Sequence, residues 1–431
     1  MARADLGWIM LLGVGLRLPY LKSRPLWQDE ALQYHLSSRE SLLQLAQSVA
    51  AQDLHPPAHS ALLALFTGGP PWAIRIPSWI AGVATIGLAY RFGNALGGRA
   101  SARSAALLAA VMPAWVAYSR EARPYAVSIF LLMGLYVLLA ERQERPVLRT
   151  ATAALCGAWQ YMVAALALIP LCFAYARDPA RWRWPLAACV LTTTLQAVWF
   201  LPTQWPRGGD LATRLAPSLG LDSLALGLPS LFGYPLVGAS SPWTVPLGAA
   251  VIGAAVAYPH RTRTVHYWAW ASLSVGALLA ALGVHPFGAT RTCLALTVPV
   301  FIVVLTMYAS QRVPVQAALA MVLAGVAWAR APGVPVEDVP ALIALPHLTT
   351  GKVAVHASAH KALSLYAPHV PIEHVVPWGC VRDDLPQGPG WLVVSGSPPC
   401  LRPFIEGWSV LPWSTPLKGV RVYETPLSGR P

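Results

Sequence analysis

The chain has 431 residues, of which 55% are hydrophobic and only 11% charged, and its mean hydropathy is +0.50; soluble domains are roughly a quarter charged, and a soluble core cannot hide that much apolar surface. The formal charge of +13 does not mark a nucleic-acid binder, because the arginines stand in short clusters between apolar runs, as at the flanks of membrane spans. Nucleotide folds and zinc fingers are also excluded, since no GxGxxG loop, Walker motif, clustered CxxC or internal repeat is present.

In chain order, the apolar runs predict spans near Leu6–Leu21, Trp79–Leu96, Ala105–Val116, Ala126–Ala140, Thr150–Ala176, Pro185–Leu201, Val245–Ala257, Trp268–Leu282, Cys293–Tyr308 and Val315–Trp328. That makes about ten or eleven crossings by helices of roughly 17–25 residues. The first run ends at Leu18-Pro19-Tyr20 without a small-residue cleavage site, so it reads as a span rather than a cleaved signal. Thr150–Ala176 is long for one helix and short for two, and Gln160-Tyr161 falls near its middle.

If that run crosses twice, Arg91/Arg99/Arg103, Arg142/Arg145/Arg149, Arg177/Arg181/Arg183 and Arg261/Arg263 share one side, and the positive-inside tendency makes it cytoplasmic. The outside then receives Lys22–Ser78, the turn Ser119–Pro124, the loop Thr203–Ser241, the turn His285–Arg291 and everything after Arg330. The expected setting is a lipid bilayer, with these outward parts on its non-cytoplasmic side.

After Ala331, prolines and polar residues return. Lys352–Ser358, Ile372–Val376, Trp391–Ser395 and Val420–Glu424 read as strands, and His360–Leu365 as a helix between them. The expected fold is therefore an all-α polytopic membrane domain over 1–332 with a small extracytoplasmic α/β domain over 333–431. Cys380 and Cys400 are the pair in this tail, and an oxidising compartment would let them join as a disulfide. Cys156, Cys172, Cys189 and Cys293 lie in apolar spans and read as small buried hydrophobes.

Three stretches could carry chemistry. The first outside segment opens with Pro25-Leu-Trp-Gln-Asp29-Glu30-Ala. Helix capping accounts for an acid at such a place, Glu30 above all, whereas Asp29 beside apolar spans is costly unless it is paired or used. An amphipathic run with Leu42, Leu45, Ala46 and Val49 at helical spacing follows, suited to a membrane surface. Asp53-Leu-His55-Pro56-Pro57 comes next, and its double proline fixes His55 in an extended turn at a helix start; His55 also reads as an ordinary loop histidine. The third stretch is Ser119-Arg120-Glu121-Ala122-Arg123-Pro124-Tyr125. Outside arginines call for an explanation. One is an Arg–Glu network that pins the turn; the other is phosphate recognition by the guanidinium fork, and net positive charge remains after pairing. Arg291 stands at a further span entrance.

Trp27-Gln-Asp29-Glu30-Ala31, Asp53-Leu-His55-Pro56-Pro57, Arg75-Ile-Pro77-Ser78, the Ser119–Tyr125 stretch and the late Arg291, in that order, resemble the bacterial branch of the GT-C glycosyltransferases, the superfamily of protein O-mannosyltransferases and lipid A aminoarabinose transferases. The resemblance covers most of the membrane part. It implies a sugar donor carried on polyprenyl phosphate and a catalytic aspartate in the first outside loop, a position Asp29 holds. His55 stands where some relatives carry a basic residue, while Arg291-Thr292 departs from the Arg-Tyr of many.

The chemistry fits this. A hydroxyl attacking an anomeric carbon must lose a proton, and a carboxylate such as Asp29 can accept it. The departing lipid phosphate gains negative charge that Arg120, Arg123 and Arg291, with His55 if charged, can stabilise. Glu30, Asp53 and Glu121 would orient the arginines, and Tyr125 belongs to the same substrate-binding motif. Asp29 and Glu30 could share magnesium or manganese, which favour oxygen ligands. The acceptor could be a lipid, a glycan or a protein. A transporter or flippase for a lipid-linked or anionic substrate is the competing class, but such proteins often show repeats and midplane charges.

Overall fold

The computed structural model of the chain describes residues 2–19, 21–22, 24, 26–53, 55–141, 144–215, 229–233, 235–236, 244–257, 268–274, 277, 295–309, 313–329, 353–356, 372–376, 390–395 and 420–425. It divides into two units. The first comprises Met1–Pro19, Arg39–Leu65 and Arg75–Ala331; the second comprises Tyr20–Ser38, Phe66–Ile74 and Pro332–Pro431. Two stretches of the first loop thus group with the tail, where the sequence suggested a division at 332/333.

The helices are α1 (Ala2–Arg17), α2 (Gln28–Ser37), α3 (Leu42–Gln52), α4 (Ala58–Ala64), α5 (Ile76–Val111), α6 (Pro113–Tyr118), α7 (Tyr125–Ala140), α8 (Pro146–Trp159), α9 (Tyr161–Arg177), α10 (Pro179–Leu215), α11 (Thr244–Ala257), α12 (Thr297–Ala309) and α13 (Val313–Ala329). Proline opens several of them. Pro113, Pro146 and Pro179 occupy first helical positions, where the missing N–H costs nothing and φ is already set.

Helix α5 is two rods in one. Gly97 (φ −151°, ψ 20°) and Gly98 (φ 71°, ψ −160°) leave helical geometry, and the positive φ at 98 is one that side chains rarely adopt. The chain folds back there, so that Gly93 lies against Ser101, Ala102 and Ala105. Pro71–Val111 is the one helical run among the described residues long and apolar enough to cross a membrane by length and composition. Its 41 residues are nevertheless two antiparallel arms, matching the two spans read at Trp79–Leu96 and Ala105–Val116.

A second reversal settles the run Thr150–Ala176. Gln160 (φ −154°, ψ 148°) is a single extended residue between α8 and α9. Arg149 at the start of α8 meets Arg181 at the start of α10, and Gly157 packs on Cys189, Thr192 and Thr193. Helices α8 and α10 therefore run parallel and α9 returns between them. Helix α10 continues through Pro202 and Pro206 to Leu215, past Leu201 where the span was expected to end and into the expected loop Thr203–Ser241.

Charge marks one end of this bundle. Asp5 pairs with Arg99 and Arg103, Arg91 with Glu141 at 2.6 Å, and Arg149 with Glu144 at 2.7 Å, while Arg181 donates to the Glu141 carbonyl. Of the basic clusters that the sequence placed on one side, Arg91, Arg99, Arg103, Arg149 and Arg181 share one end; Arg142, Arg261 and Arg263 lie outside the described residues. Ser119–Tyr125, Gln160 and the end of α1 lie at the other.

The first unit is apolar outside as well as inside. Trp115 stacks on Phe301 with ring centres 4.8 Å apart and donates through Nε1 to Thr297 Oγ1 at 2.8 Å. Trp8, Leu11, Val147, Leu155, Phe173, Leu195, Val198, Trp199, Met321 and Val322 are all exposed. Contiguous apolar exteriors on several helices suit hydrocarbon rather than water. Helix α3 buries Leu45 and Val49 of the expected amphipathic stripe and exposes Leu42.

In the second unit, strands β1 (Val353–His356), β2 (Ile372–Val376), β3 (Gly390–Ser395) and β4 (Val420–Thr425) form one sheet ordered β2-β1-β3-β4. They fall where the sequence placed them. β1 pairs parallel with β2 and β3, and β3 pairs antiparallel with β4 from Gly390↔Thr425 to Ser395↔Val420. The expected helix His360–Leu365 and the Cys380–Cys400 pair lie outside the described residues.

Candidate active site

The turn between α6 and α7 is the best-defined polar site in the first unit. Arg120, Glu121 and Arg123 are all buried there. Charged side chains tolerate burial only where partners are built in, and much of the building here is in the backbone.

Three successive carbonyls of the turn are each held by a side chain from elsewhere. His59 on α4 reaches the Ala122 carbonyl, Nε2 to O 3.4 Å. Ser78 on α5 donates to the Arg123 carbonyl at 3.1 Å. Trp159 Nε1, at the end of α8, donates to the Pro124 carbonyl at 3.2 Å. The path of the arginine-bearing segment is therefore fixed from outside the segment.

Arg17 supports the same turn from below. Its guanidinium is fully buried and donates to Ser119 Oγ at 3.2 Å, to Gly13 O at 3.1 Å, to Ala110 O at 2.8 Å and to Ala109 O at 3.0 Å. The reason lies in the sequence. Pro113 has no N–H to give to Ala109, so α5 ends with orphaned carbonyls, and a cation suits the negative end of a helix. Among the described residues no carboxylate pairs with Arg17, which instead lies beside Arg120. Gly82 makes room for the arrangement, since a Cβ there would collide with Ser119.

Arg120 donates through Nε to the Val116 carbonyl at 3.3 Å. Tyr125 stands at the centre of the remaining groups. The Arg123 guanidinium lies 5.9 Å from its ring centre, and the rings of His55 and Tyr118 meet it edge-on at 6.3 Å and 5.3 Å. The His55 amide donates to Asp53 Oδ1 at 3.2 Å, closing the turn before the double proline as an aspartate does. Asp53, His55, Arg120, Glu121, Arg123 and Tyr125 thus belong to one unit and largely to one cluster.

His59 is the buried counterpart of His55. Burial first, then Arg123 and His55 nearby, push its imidazolium down to about 3 against the pull of the Ala122 carbonyl and Asp53. It is a neutral Nε2–H donor, packed edge-on against Trp159 at 5.6 Å.

Asp29 and Glu30 lie on α2, in the second unit. Glu30 is fully buried and takes the capping role: its Oε2 accepts from the Trp27 amide at 3.3 Å and meets Arg24 at 3.5 Å. Asp29, one residue earlier in the first turn, is partly exposed. Glu30 thereby commits an oxygen to structure, and no group of three or more His, Cys, Asp or Glu side chains gathers as a metal site among the described residues. With Oε2 of Glu30 engaged by the Trp27 amide and Arg24, the Asp29–Glu30 pair is a poor fit for a resident magnesium or manganese ion. Arg291 lies outside the described residues.

Sequence reasoning passed over Arg17 and His59, and met Ser78 only within the Arg75–Ser78 motif. Arg17 carries a signal, as the one ionised residue between Asp5 and Lys22; a charge inside an apolar run is costly and so has a role. The part of Ser78 in holding the Arg123 carbonyl has no local signal, because a serine in a helix shows its partner only after folding.

Comparison with known proteins finds relatives for part of the chain and for its fold. Residues 54–203, which hold His55, Arg120 and Arg123, match the model of the dolichyl-phosphate-mannose-protein mannosyltransferase family. YycA of Bacillus subtilis (strain 168), a proposed mannosyltransferase, is 29% identical over 185 residues. That match covers 40% of this chain, and the chain spans about a quarter (25%) of that relative's length. The crystal structure of ArnT from Cupriavidus metallidurans bound to undecaprenyl phosphate superposes with a TM-score of 0.55 over 99% of both chains at 14% identity. Its apo form gives 0.56 over 99% of this chain and 100% of that one, also at 14% identity. The chain shares the fold of ArnT and, with its apolar exterior, is an integral membrane protein.

Proposed function

We propose that this protein transfers a sugar from a polyprenyl-phosphate donor to a hydroxyl on an acceptor outside the cytoplasm, as an inverting glycosyltransferase. The observation that carries the reading is the buried, externally clamped turn bearing Arg120 and Arg123. Rigid cations are what a leaving phosphate requires, because donors already in place need no reorganisation when charge develops. The likeness to ArnT, crystallised with undecaprenyl phosphate, supports the donor class.

In the proposed reaction the acceptor oxygen attacks the anomeric carbon and the bond from that carbon to the phosphate oxygen breaks. The phosphate departs with the bonding pair, stabilised by Arg120, Arg123 and Arg291. The acceptor's proton passes to the Asp29 carboxylate. A single displacement inverts the anomeric centre. His55 and Tyr125 complete the phosphate site, with Asp53 and Glu121 orienting it. The end bearing Ser119–Tyr125 faces the periplasm or exterior of a bacterial inner membrane, because the opposite end carries the arginine clusters.

Purified protein in lipid nanodiscs, incubated with a panel of labelled polyprenyl-phosphate sugars, should release lipid phosphate from at least one. Donor binding with no release from any of them would favour a carrier over a transferase. Arg123→Ala should weaken undecaprenyl-phosphate binding about 10- to 100-fold, the range for a charge-assisted hydrogen bond. Unchanged affinity would assign Arg123 to the turn's architecture alone.

A further inference from the structure

Helix α10 meets α8 along a seam of hydroxyls. Thr192 Oγ1 lies 3.0 Å from the Ala154 carbonyl and 2.9 Å from that of Ala188. Thr193 Oγ1 lies 2.7 Å from the Cys189 carbonyl and 3.5 Å from that of Gly157. Backbone oxygens satisfy both hydroxyls. Gln196, one turn farther along α10, differs. It is only 5% exposed, and neither its Oε1 nor its Nε2 has a hydrogen-bond partner among the described residues. No other described side chain has two buried atoms in that condition. A buried amide costs free energy until something pairs with it.

The packing fixes where this amide stands. Helices α8 and α10 run parallel, and Gly157 lies against Thr192 and Thr193. Three residues beyond Gly157 and Thr193, a rise of about 4.5 Å on each helix, come Gln160 and Gln196. Gln160 reaches the candidate site directly: its Nε2 lies 3.3 Å from Nδ1 of His55, and its Oε1 lies 2.6 Å from Ser128 Oγ. Trp159, next to it, holds the Pro124 carbonyl of the arginine-bearing turn. Helix α10 also packs on α3, which ends immediately before Asp53. Gln196 is therefore at the level of the site, on an element that contributes none of the site's other residues.

The chemistry of the amide selects its ligand. A glutamine side chain presents an acceptor oxygen and an NH2 donor together. A phosphate offers acceptors alone and leaves Oε1 unmet; a cation offers donors alone and leaves the NH2 unmet. A sugar ring carries neighbouring hydroxyls, each able to give and to receive a hydrogen bond, and so meets both. We propose that Gln196 recognises a pair of hydroxyls on the sugar of the lipid-linked donor, Oε1 accepting from one and Nε2 donating to the other. This rests on the reading of the Arg120–Arg123 turn as the phosphate site, because the sugar is bonded to that phosphate. Gln196 then helps to choose the sugar, since a ring lacking either hydroxyl leaves a buried polar atom unmet, the kind of mismatch that binding sites reject most strongly.

Two measurements test the proposal. In substrate-free protein, Gln196→Leu should melt at the parental temperature or above it, because an unmet polar pair gives way to apolar contacts of similar volume. Melting several degrees lower would show that the protein itself uses the amide, and would overturn the proposal. In nanodiscs, the same variant should bind the panel sugar that the parent holds most tightly about 10- to 100-fold more weakly, the range for two neutral hydrogen bonds. Its affinity for undecaprenyl phosphate, which has no sugar, should stay parental. Equal loss for the two lipids would move Gln196 to the phosphate, and no loss for either would leave the amide to water; each result overturns the assignment. A parent that binds neither lipid sinks the reading of the turn as a phosphate site, and the assignment of the sugar to Gln196 falls with it.

Discussion

Asp29→Asn is expected to leave a folded, membrane-inserted protein whose sugar transfer falls about 100- to 10,000-fold, the range that general base catalysis contributes. The substitution is nearly isosteric. At the second position of α2 the carboxylate contributes about 0.3–1 kcal/mol through the helix dipole, and Glu30 retains the cap. What it removes from the proposed reaction is the only step a carboxylate is asked to perform, accepting the acceptor's proton as the new bond forms. Donor binding should change little, because the arginines carry that. Turnover of labelled donor by purified parent and variant decides the matter, and near-parental turnover rejects Asp29 as the base.

Arg17→Leu should produce the largest loss of stability. The variant keeps an apolar side chain of lesser length but leaves the Ala109 and Ala110 carbonyls and Ser119 Oγ without the donor that reaches them. Each buried acceptor so stranded costs about 1–3 kcal/mol, in a protein whose whole stability is of the order of 5–15 kcal/mol. The damage falls on the junction of α5 and α6, from which the Arg120 turn follows. Arg17→Lys, with a charge but no planar fork, should lie between the two. Thermal unfolding of detergent-purified protein reads the series, and coincident melting of parent and Arg17→Leu would show that other groups hold that junction.

The two arginine predictions also show how far sequence reasoning reaches here. Arg123 is conspicuous before folding, since it sits in a short polar turn between apolar runs. Arg17 sits inside an apolar run and looks like a flank. Its use depends on Pro113, distant in sequence, which strips Ala109 of an internal partner and creates the need that Arg17 meets. Glu30 shows the opposite case. Its capping role follows from local spacing and needs no tertiary partner to be foreseen.

Local rules marked most of the helices, the reversal at Gly97-Gly98 and the strands. Apolar run length sets where helices lie, Gly97-Gly98 permits the fold-back within α5, and alternation with turn residues marks the four strands of the sheet. Those signals are carried by neighbours in sequence, so a single chain reveals them. Tertiary structure alone decided that Ser78, His59 and Trp159 would hold three consecutive carbonyls of the Arg120–Arg123 turn, and that Gln160 would meet His55. Serine, histidine and glutamine carry donors and acceptors everywhere; which of them converge depends on helix packing, and the packing depends on apolar surfaces with no knowledge of the polar atoms they bring together.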